Sequence, residues 1–162
     1  MINRSVLATA LLCLLPVTAG AAPKVDTTDK LPVTTVVIDT THGPARFQVE
    51  LAADPASQEK GLMFRTKMSL DAGMLFDFHK PDFQTFWMKN TVIPLDMLFI
   101  RGDGTISSIA RNTTPYSEAT IPSYEPVRAV LEINGGRAAQ LVIEPGYHVH
   151  NVIFGNALPG QK

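Results

Sequence analysis

The 162-residue chain contains one cysteine, which lies near the N-terminus at position 13. It has no strong excess of charge, since 14 Lys and Arg residues stand against 15 Asp and Glu residues. A lone cysteine excludes a disulfide within the chain, and the balanced charge lacks the basic excess typical of nucleic-acid-binding proteins. Beyond the first 21 residues, no apolar stretch is long enough to cross a bilayer.

The N-terminal segment has the pattern of a secretory signal peptide over residues 1–21. Arg4 supplies a positive charge, an apolar run extends from Val6 to Val17, and Ala19-Gly20-Ala21 offers small residues for cleavage. Cleavage after Ala21 would also remove Cys13. The mature protein is therefore predicted to be periplasmic or secreted, without a membrane anchor, a thiol nucleophile or a thiolate metal ligand.

The rest of the chain is predicted to comprise a flexible lead-in over residues 22–34 and one domain over residues 35–162. Asp54, Pro55 and Gly61 have the spacing of an N-cap, a first helical residue and a terminator, and predict a short helix. A second short helix is predicted after Gly136, and residues 112–126 are predicted to form an irregular loop. Strands are predicted over residues 35–40, 45–51, 74–78, 85–89, 97–101, 107–111, 127–133 and 148–154. This pattern predicts a mainly β (α+β) fold, a compact antiparallel β-barrel or sandwich with one or two short helices.

Four sequence blocks then carry a family pattern: GLMFR at residues 61–65, GMLFDF at 73–78, FWMKNTVIPLDMLFI at 86–100 and VLEINGG at 130–136. In this order and spacing they resemble the domain of unknown function 192 (DUF192) family, small proteins often exported by bacteria. The resemblance spans roughly residues 36–154. It implies a small β-rich fold, often with a signal peptide, and it implies no substrate or activity.

The third block places Trp87, Lys89, Asn90 and Asp96 among large apolar residues. One interpretation is functional: Asp96 and Lys89 would form an acid/base pair beside an aromatic platform for a ligand. The other is structural: Asp96 would be a buried latch, held by loop amides around Asn90 and paired with Lys89 or Arg65, because an unpaired buried carboxylate is costly. The pattern of residues leaves both open.

Metal binding is a further alternative. The methionines and the pair His148 and His150, two apart on a predicted strand, could suit a periplasmic Cu(I) carrier. However, Met74, Met88 and Met97 lie in apolar runs, where methionine ordinarily fills gaps in a core. We therefore predict no metal and no other cofactor.

Two weaker signals remain. Asp77 and Glu132 are acids within apolar segments, and two carboxylates that face one cleft could serve as a glycosidase pair. Gly135-Gly136, ahead of a short predicted helix, could bind an anion through backbone amides.

These patterns favour an exported, non-enzymatic binding or accessory module that uses the surface around Trp87 and the loop over residues 112–126. Its partner would be a small molecule or a protein, and not nucleic acid. The alternatives are a small hydrolase or lyase that uses Asp96 and Lys89, and a Cu(I)-binding protein. No catalytic residue is assigned beyond that pair.

Overall fold

The computed structural model of the chain describes residues 30–161. The predicted signal peptide, its cleavage after Ala21 and most of the predicted lead-in lie outside the described residues. Within residues 30–161, no helix combines the length and the apolar character needed to cross a membrane.

The described residues form the predicted mainly β fold. A seven-stranded sheet curls into a half-barrel with the strand order β6-β5-β8-β3-β2-β1-β9, and a small second sheet pairs β4 with β7. In chain order the elements are β1 (Val33–Ile38), β2 (Ala45–Ala52), α1 (Pro55–Lys60), β3 (Ala72–Asp82), β4 (Thr85–Phe86), β5 (Leu95–Ile100), β6 (Ile106–Ala110), β7 (Ile121–Pro122), β8 (Val127–Asn134), α2 (Arg137–Gln140), β9 (Val149–His150) and a 3-10 helix (Val152–Phe154).

Helix α1 begins and ends where the sequence predicts. The Asp54 side chain accepts hydrogen bonds from the amides of Ala56 and Ser57, each at 3.0 Å, and Pro55 occupies the first helical position. The amide of Gly61 donates to the Ser57 carbonyl and closes the last turn. Strands β2 and β3 run parallel, and the connection that contains α1 supplies the crossover that parallel neighbours require. The other described pairs of the large sheet are antiparallel.

Alternate residues of the central strands fill two apolar clusters, one on each face of the large sheet. One face, termed the α2 face, is built around Leu75, Leu98, Leu131, Ile133 and Ala138, together with residues of β1, β2 and β9. The opposite face, termed the methionine face, is built from Ala52, Leu62, Met74, Phe76, Met88, Leu95, Met97, Phe99, Val127 and Val130. Strand β5 contributes to both faces, so all six of its residues are buried.

The segment that follows β4 departs from the predicted strand over residues 85–89. Strand β4 ends at Phe86, and the amide of Met88 donates instead to the carbonyl of Ser117 at 2.8 Å. Asn90 then adopts a left-handed backbone conformation with φ of 56°. The loop over residues 112–126 also contains β7, which pairs with β4 and holds this segment against the sheet. Trp87 and Lys89 therefore lie on an irregular segment rather than on a strand; residues 87–90, which end in a turn at Lys89 and Asn90, are termed the Trp87 turn.

The C-terminal strand is likewise shorter than predicted. Strand β9 ends at His150, because the side chain of Asn151 accepts a hydrogen bond from the amide of Ile153 at 3.1 Å and begins a 3-10 helix. Just before β9, His148 forms a bridge with Thr105 near the start of β6. The two outer strands of the curled sheet therefore meet at this end.

Gly73→Ala is expected to destabilise the fold. A Cβ atom at Gly73 on β3 would lie 2.4 Å from the carbonyl oxygen of Glu132 on β8, and this backbone oxygen cannot move without distorting the sheet. We expect the free energy of unfolding to fall by about 1–3 kcal/mol in urea denaturation. Gly102→Ala is the matched control, since its Cβ would meet only the Pro81 side chain at 3.4 Å. Equal stability of the two variants would contradict this close packing.

Candidate functional site

The carboxylate of Asp96 joins three separate segments of the chain. Asp96 lies on β5 with no exposed surface. It accepts hydrogen bonds from the backbone amides of Asn112 at 2.6 Å, Gly136 at 3.0 Å and Ala138 at 2.7 Å. It therefore links β5 to the residues that follow β6 and to the start of α2.

This geometry corrects two expectations about Asp96. The amides that bind it do not come from the loop around Asn90, and neither Lys89 nor Arg65 contributes a hydrogen bond to it. The acid/base pair of Asp96 and Lys89 is not formed, because the Asp96 carboxylate is enclosed and bonded to three amides. The Gly135-Gly136 segment does hold an anion through a backbone amide, and that anion is the chain's own Asp96.

Arg65 pairs with a different acid. Its guanidinium donates to both carboxylate oxygens of Glu50 on β2, at 2.6 and 3.0 Å. The hydrogen bonds to Glu50 raise the pKa of Arg65 above its ordinary value. Arg65 thus connects the segment after α1 to the sheet, and it stands apart from Asp96.

Trp87, Lys89 and Asn90 remain together and line one cleft. The cleft has a volume of about 480 Å³, and its other walls are Ala56, Glu59 and Lys60 of α1 together with Met63. Trp87 is 47% exposed, and the Lys89 ammonium lies 5.1 Å from the centroid of its ring. The Asn90 side-chain amide donates to the Met63 sulfur at 3.8 Å. An exposed aromatic ring bordered by polar side chains is the usual composition of a small-ligand site.

A smaller cavity beside this cleft, termed the Glu132 cavity, reaches down to the sheet. Its volume is about 50 Å³, and it shares Glu59, Lys60, Met63 and Trp87 with the larger cleft. Its remaining walls are Gln58, Gly61, Leu62, Phe76, Phe86, Thr91 and Glu132. The rings of Phe76 and Phe86 meet edge to face, with their centroids 5.2 Å apart.

Glu132 on β8 is the one acid on the buried base of that cavity. It is 4% exposed, and its cross-strand neighbours are Met74 on β3 and Met97 on β5. Among the described residues it has no hydrogen-bond or ion-pair partner. Burial raises the pKa of Glu132 to about 8, so that the carboxyl group is mostly neutral at pH 7. The acid within the apolar run VLEINGG was the sequence signal for this residue, but nothing in that run indicated a cavity.

Asp77, the other acid in an apolar segment, does not join Glu132. Arg128 donates to the two oxygens of Asp77 at 3.2 and 3.4 Å, and the backbone amide of His79 donates to it at 2.8 Å. Asp77 does not line the Glu132 cavity. The geometry therefore gives no support to a glycosidase pair.

The copper alternative gains no support either. Met74, Met88 and Met97 are buried within the methionine face, as core residues are. Both ring nitrogens of His150 are engaged, one with the Asn156 carbonyl and the other with Asp39 at 2.8 Å. Within residues 30–161, no three His, Cys, Asp or Glu side chains come together in an arrangement that could hold a metal ion.

Comparisons with known proteins agree on a family. The DUF192 family model, described as "Uncharacterized ACR", matches residues 36–151. A crystal structure of a protein of unknown function from Novosphingobium aromaticivorans DSM 12444 is similar, with 48% identity, a TM-score of 0.74, and coverage of 80% of this chain and 93% of that chain. A crystal structure of a proposed transcription regulator from Sinorhizobium meliloti 1021 shows 45% identity, a TM-score of 0.75, and coverage of 77% and 98%. Curated proteins give no match.

Asp96→Asn is expected to lower the free energy of unfolding by about 2–4 kcal/mol, because it disrupts a buried, charge-assisted network. An asparagine keeps the shape but places an NH2 group, which is a donor, against backbone N–H donors. Urea denaturation measures the change. Asp82→Asn is the control, because Asp82 is exposed and accepts only the amide of Phe83 next to it. A variant at Asp96 as stable as the original protein would show that these bonds do not hold the fold together.

Glu132→Gln is expected to remove a pH dependence of stability. The pKa of Glu132 is about 8 in the folded protein and near 4.5 when unfolded. Between these values the folded state binds the extra proton, so stability falls as pH rises from about 4.5 to 8 and is level outside that window. The full shift corresponds to on the order of 5 kcal/mol.

Urea denaturation at about pH 5 and about pH 8 tests this expectation. The free energy of unfolding of Glu132→Gln, taken relative to that of the original protein, should be several kcal/mol higher at the higher pH than at the lower pH. Glu59→Gln, at an exposed position of α1, should follow the original protein. Parallel pH profiles for Glu132→Gln and the original protein would refute the neutral, buried state of Glu132.

Proposed function

The chain belongs to the uncharacterised DUF192 family, and we propose that it is a non-enzymatic binding protein whose ligand occupies the Trp87 cleft. The observation that carries this proposal is that the cleft and the Glu132 cavity lie side by side and share Glu59, Lys60, Met63 and Trp87. A half-exposed tryptophan borders an open space of about 480 Å³, and the small adjacent cavity is lined by a carboxyl group that has no hydrogen-bond or ion-pair partner among the described residues. Such a combination of apolar walls and few polar groups is typical of ligand pockets.

The surroundings of the cleft support a role in binding. The amide of Phe64, whose side chain is 69% exposed, donates to the Asn90 carbonyl at 2.8 Å, and the amide of Tyr116 donates to the Thr91 carbonyl at 3.1 Å. Phe64 and Tyr116 both have positive φ, which is unusual for bulky residues and is often found at functional sites. Exposed aromatic residues are thus carried by segments that hydrogen bond directly to the turn beside Trp87.

Enzymatic and nucleic-acid roles receive less support. Asp96 is out of reach of a substrate, so the hydrolase or lyase alternative lacks its acid/base partner for Lys89. The Sinorhizobium relative is described as a proposed transcription regulator, which would suggest DNA binding. However, this sequence carries a formal net charge of −1 and lacks the basic excess typical of DNA-binding proteins. In addition, Arg65, Arg101, Arg111, Arg128 and Arg137 are each paired with a carboxylate.

The place of action that we propose is the periplasm or the extracellular space. The signal-peptide pattern of residues 1–21 supports it. The cleft needs no thiol or disulfide, which fits a mature chain without cysteine.

Trp87 is the only tryptophan of the chain, so its fluorescence reports directly on the cleft. We expect a panel of amines, amino acids, monosaccharides and carboxylic acids to include compounds that shift Trp87 emission and raise the melting temperature. Trp87→Ala should abolish the thermal shift. Tyr124→Ala, at an 80% exposed aromatic position outside the cleft, should retain it. Ligands that stabilise the original protein and Trp87→Ala equally, and leave the emission unchanged, would place binding elsewhere.

A further inference from the structure

We propose that the Glu132 cavity binds the ammonium group of a primary alkylamine, and that the Trp87 cleft holds the aliphatic stem of the same molecule. This inference rests on the proposed function, because it names the ligand class for the Trp87 cleft. It is carried by the hydrogen-bonding groups, the charges and the dimensions of the cavity.

The Gln58 and Thr91 donors on the cavity walls are already engaged, and the Lys60 ammonium belongs to an exposed side chain. The Gln58 amide nitrogen donates to the carbonyl oxygens of Ala52 at 3.3 Å and Asp77 at 2.9 Å. The Thr91 hydroxyl donates to the carbonyl of Lys89 at 3.3 Å. The groups on the buried walls that remain to meet a ligand are therefore mainly acceptors.

When ionised, Glu132 is the strongest of these acceptors, and the Thr91 oxygen also retains lone pairs. An acceptor-lined pocket requires a ligand that donates. An alkylammonium group carries three N–H donors and accepts nothing, so it matches the pocket more closely than a hydroxyl or a carboxylate.

The charges around Glu132 point the same way. Its cross-strand neighbours on β3 and β5 are apolar, the charged residues that line the cavity are Glu59 and Lys60, and Lys89 lines the adjoining cleft. Glu59 and Lys60 are exposed, opposite in sign and adjacent on α1, and among the described residues neither forms an ion pair with Glu132. A ligand cation would supply the missing partner charge.

The aromatic walls are also suited to a cation. Phe76, Phe86 and Trp87 surround the cavity, and the faces of aromatic rings attract ammonium groups. Lys89 already places its own ammonium 5.1 Å from the Trp87 ring centroid, so this ring accommodates such a group. The chain itself thus provides an example of the contact that we propose.

The dimensions limit what can reach Glu132. The cavity volume of about 50 Å³ is roughly a tenth of that of the adjoining cleft, about 480 Å³, so the cavity takes the smaller part of a ligand. It fits a small head group such as –CH2–NH3⁺. The adjoining cleft of about 480 Å³ has room for the stem.

Binding must move one proton. When the ammonium enters, the neutral Glu132 carboxyl releases its proton to the solvent, and the resulting carboxylate pairs with the ligand; no covalent bond forms. Because the pKa of Glu132 is about 8, affinity should increase with pH up to that value. It should then stay level until the amine loses its charge, near the lysine value of about 10.4.

The test uses n-butylammonium as probe, followed by Trp87 fluorescence and by calorimetry in two buffers with different ionisation enthalpies. We expect release of close to one proton per bound amine at about pH 7, and affinity that rises almost tenfold per pH unit below about pH 8. Glu132→Gln, expected above to fold stably, should weaken binding at least about tenfold and flatten the pH profile. Glu59→Gln should change affinity by less than about threefold.

Matched probes decide the outcome. Stronger binding of n-butanol or butyrate, or affinity that falls as pH rises, would overturn the amine assignment while leaving the Trp87 cleft as a binding site. Absence of n-butylammonium binding would also overturn it. The panel of amines, amino acids, monosaccharides and carboxylic acids would then test independently whether the Trp87 cleft binds a ligand. Nα-acetyl-lysine methylamide distinguishes two sources of amine: binding at least as tight as that of n-butylammonium indicates a protein lysine, and weaker binding indicates a free small amine.

Discussion

The hydrogen bonds that three backbone amides donate to Asp96 hold together parts of the chain that are distant in sequence, together with the backbone hydrogen bonds from Thr113 to Leu95 and from Gly135 to Pro94. Strand β5 is buried on both faces, so any polar side chain on it must find partners inside the protein. Asp96 finds them in Asn112, Gly136 and Ala138, which lie 16, 40 and 42 residues further along the chain. The carboxylate thereby fixes the start of α2 against the sheet, and α2 in turn supplies Ala138 to the core of the α2 face.

Glu132 on the neighbouring strand β8 is also a buried acid, but it has none of the amide partners that Asp96 has. In the register of β5 and β8, Asp96 pairs with Ile133 and Met97 pairs with Glu132, so the two acids project to opposite faces of the sheet. Asp96 meets three amides on the α2 face. Glu132 meets thioethers and aromatic rings on the methionine face, and its carboxyl group avoids the cost of a buried charge by remaining protonated. Two acids on neighbouring buried strands thus differ: Asp96 is held by three backbone amides, and Glu132 has no hydrogen-bond partner among the described residues.

This contrast also marks what could be predicted from the sequence. Short-range chemistry was accessible: the Asp54, Pro55 and Gly61 pattern of α1 is confirmed, and so is the mainly β fold. The sequence also indicated that Asp96 would need partners, but those partners are distant in sequence and depend on how β5, β6 and α2 pack. The cavity above Glu132 depends on still more elements, since α1, β3, β8 and the Trp87 turn each contribute a wall. No local pattern encodes such a space.

An acid without a protein partner in a sheet is informative because the fold could do without it. Its immediate neighbours Met74 and Met97 are apolar, and an apolar residue at position 132 would extend the same core without the energetic penalty of a buried carboxyl group. A ligand in the cavity that met the carboxyl group would offset this penalty. A ligand that binds the folded state alone then adds to its stability by mass action. The backbone of β8 holds Glu132 in place on both sides, whereas the other side of the cleft is formed by a two-turn helix and a turn at Asn90. In the binding mode that we propose, Glu132 is therefore the group that selects the ligand's chemistry, and the surrounding segments limit the ligand's size.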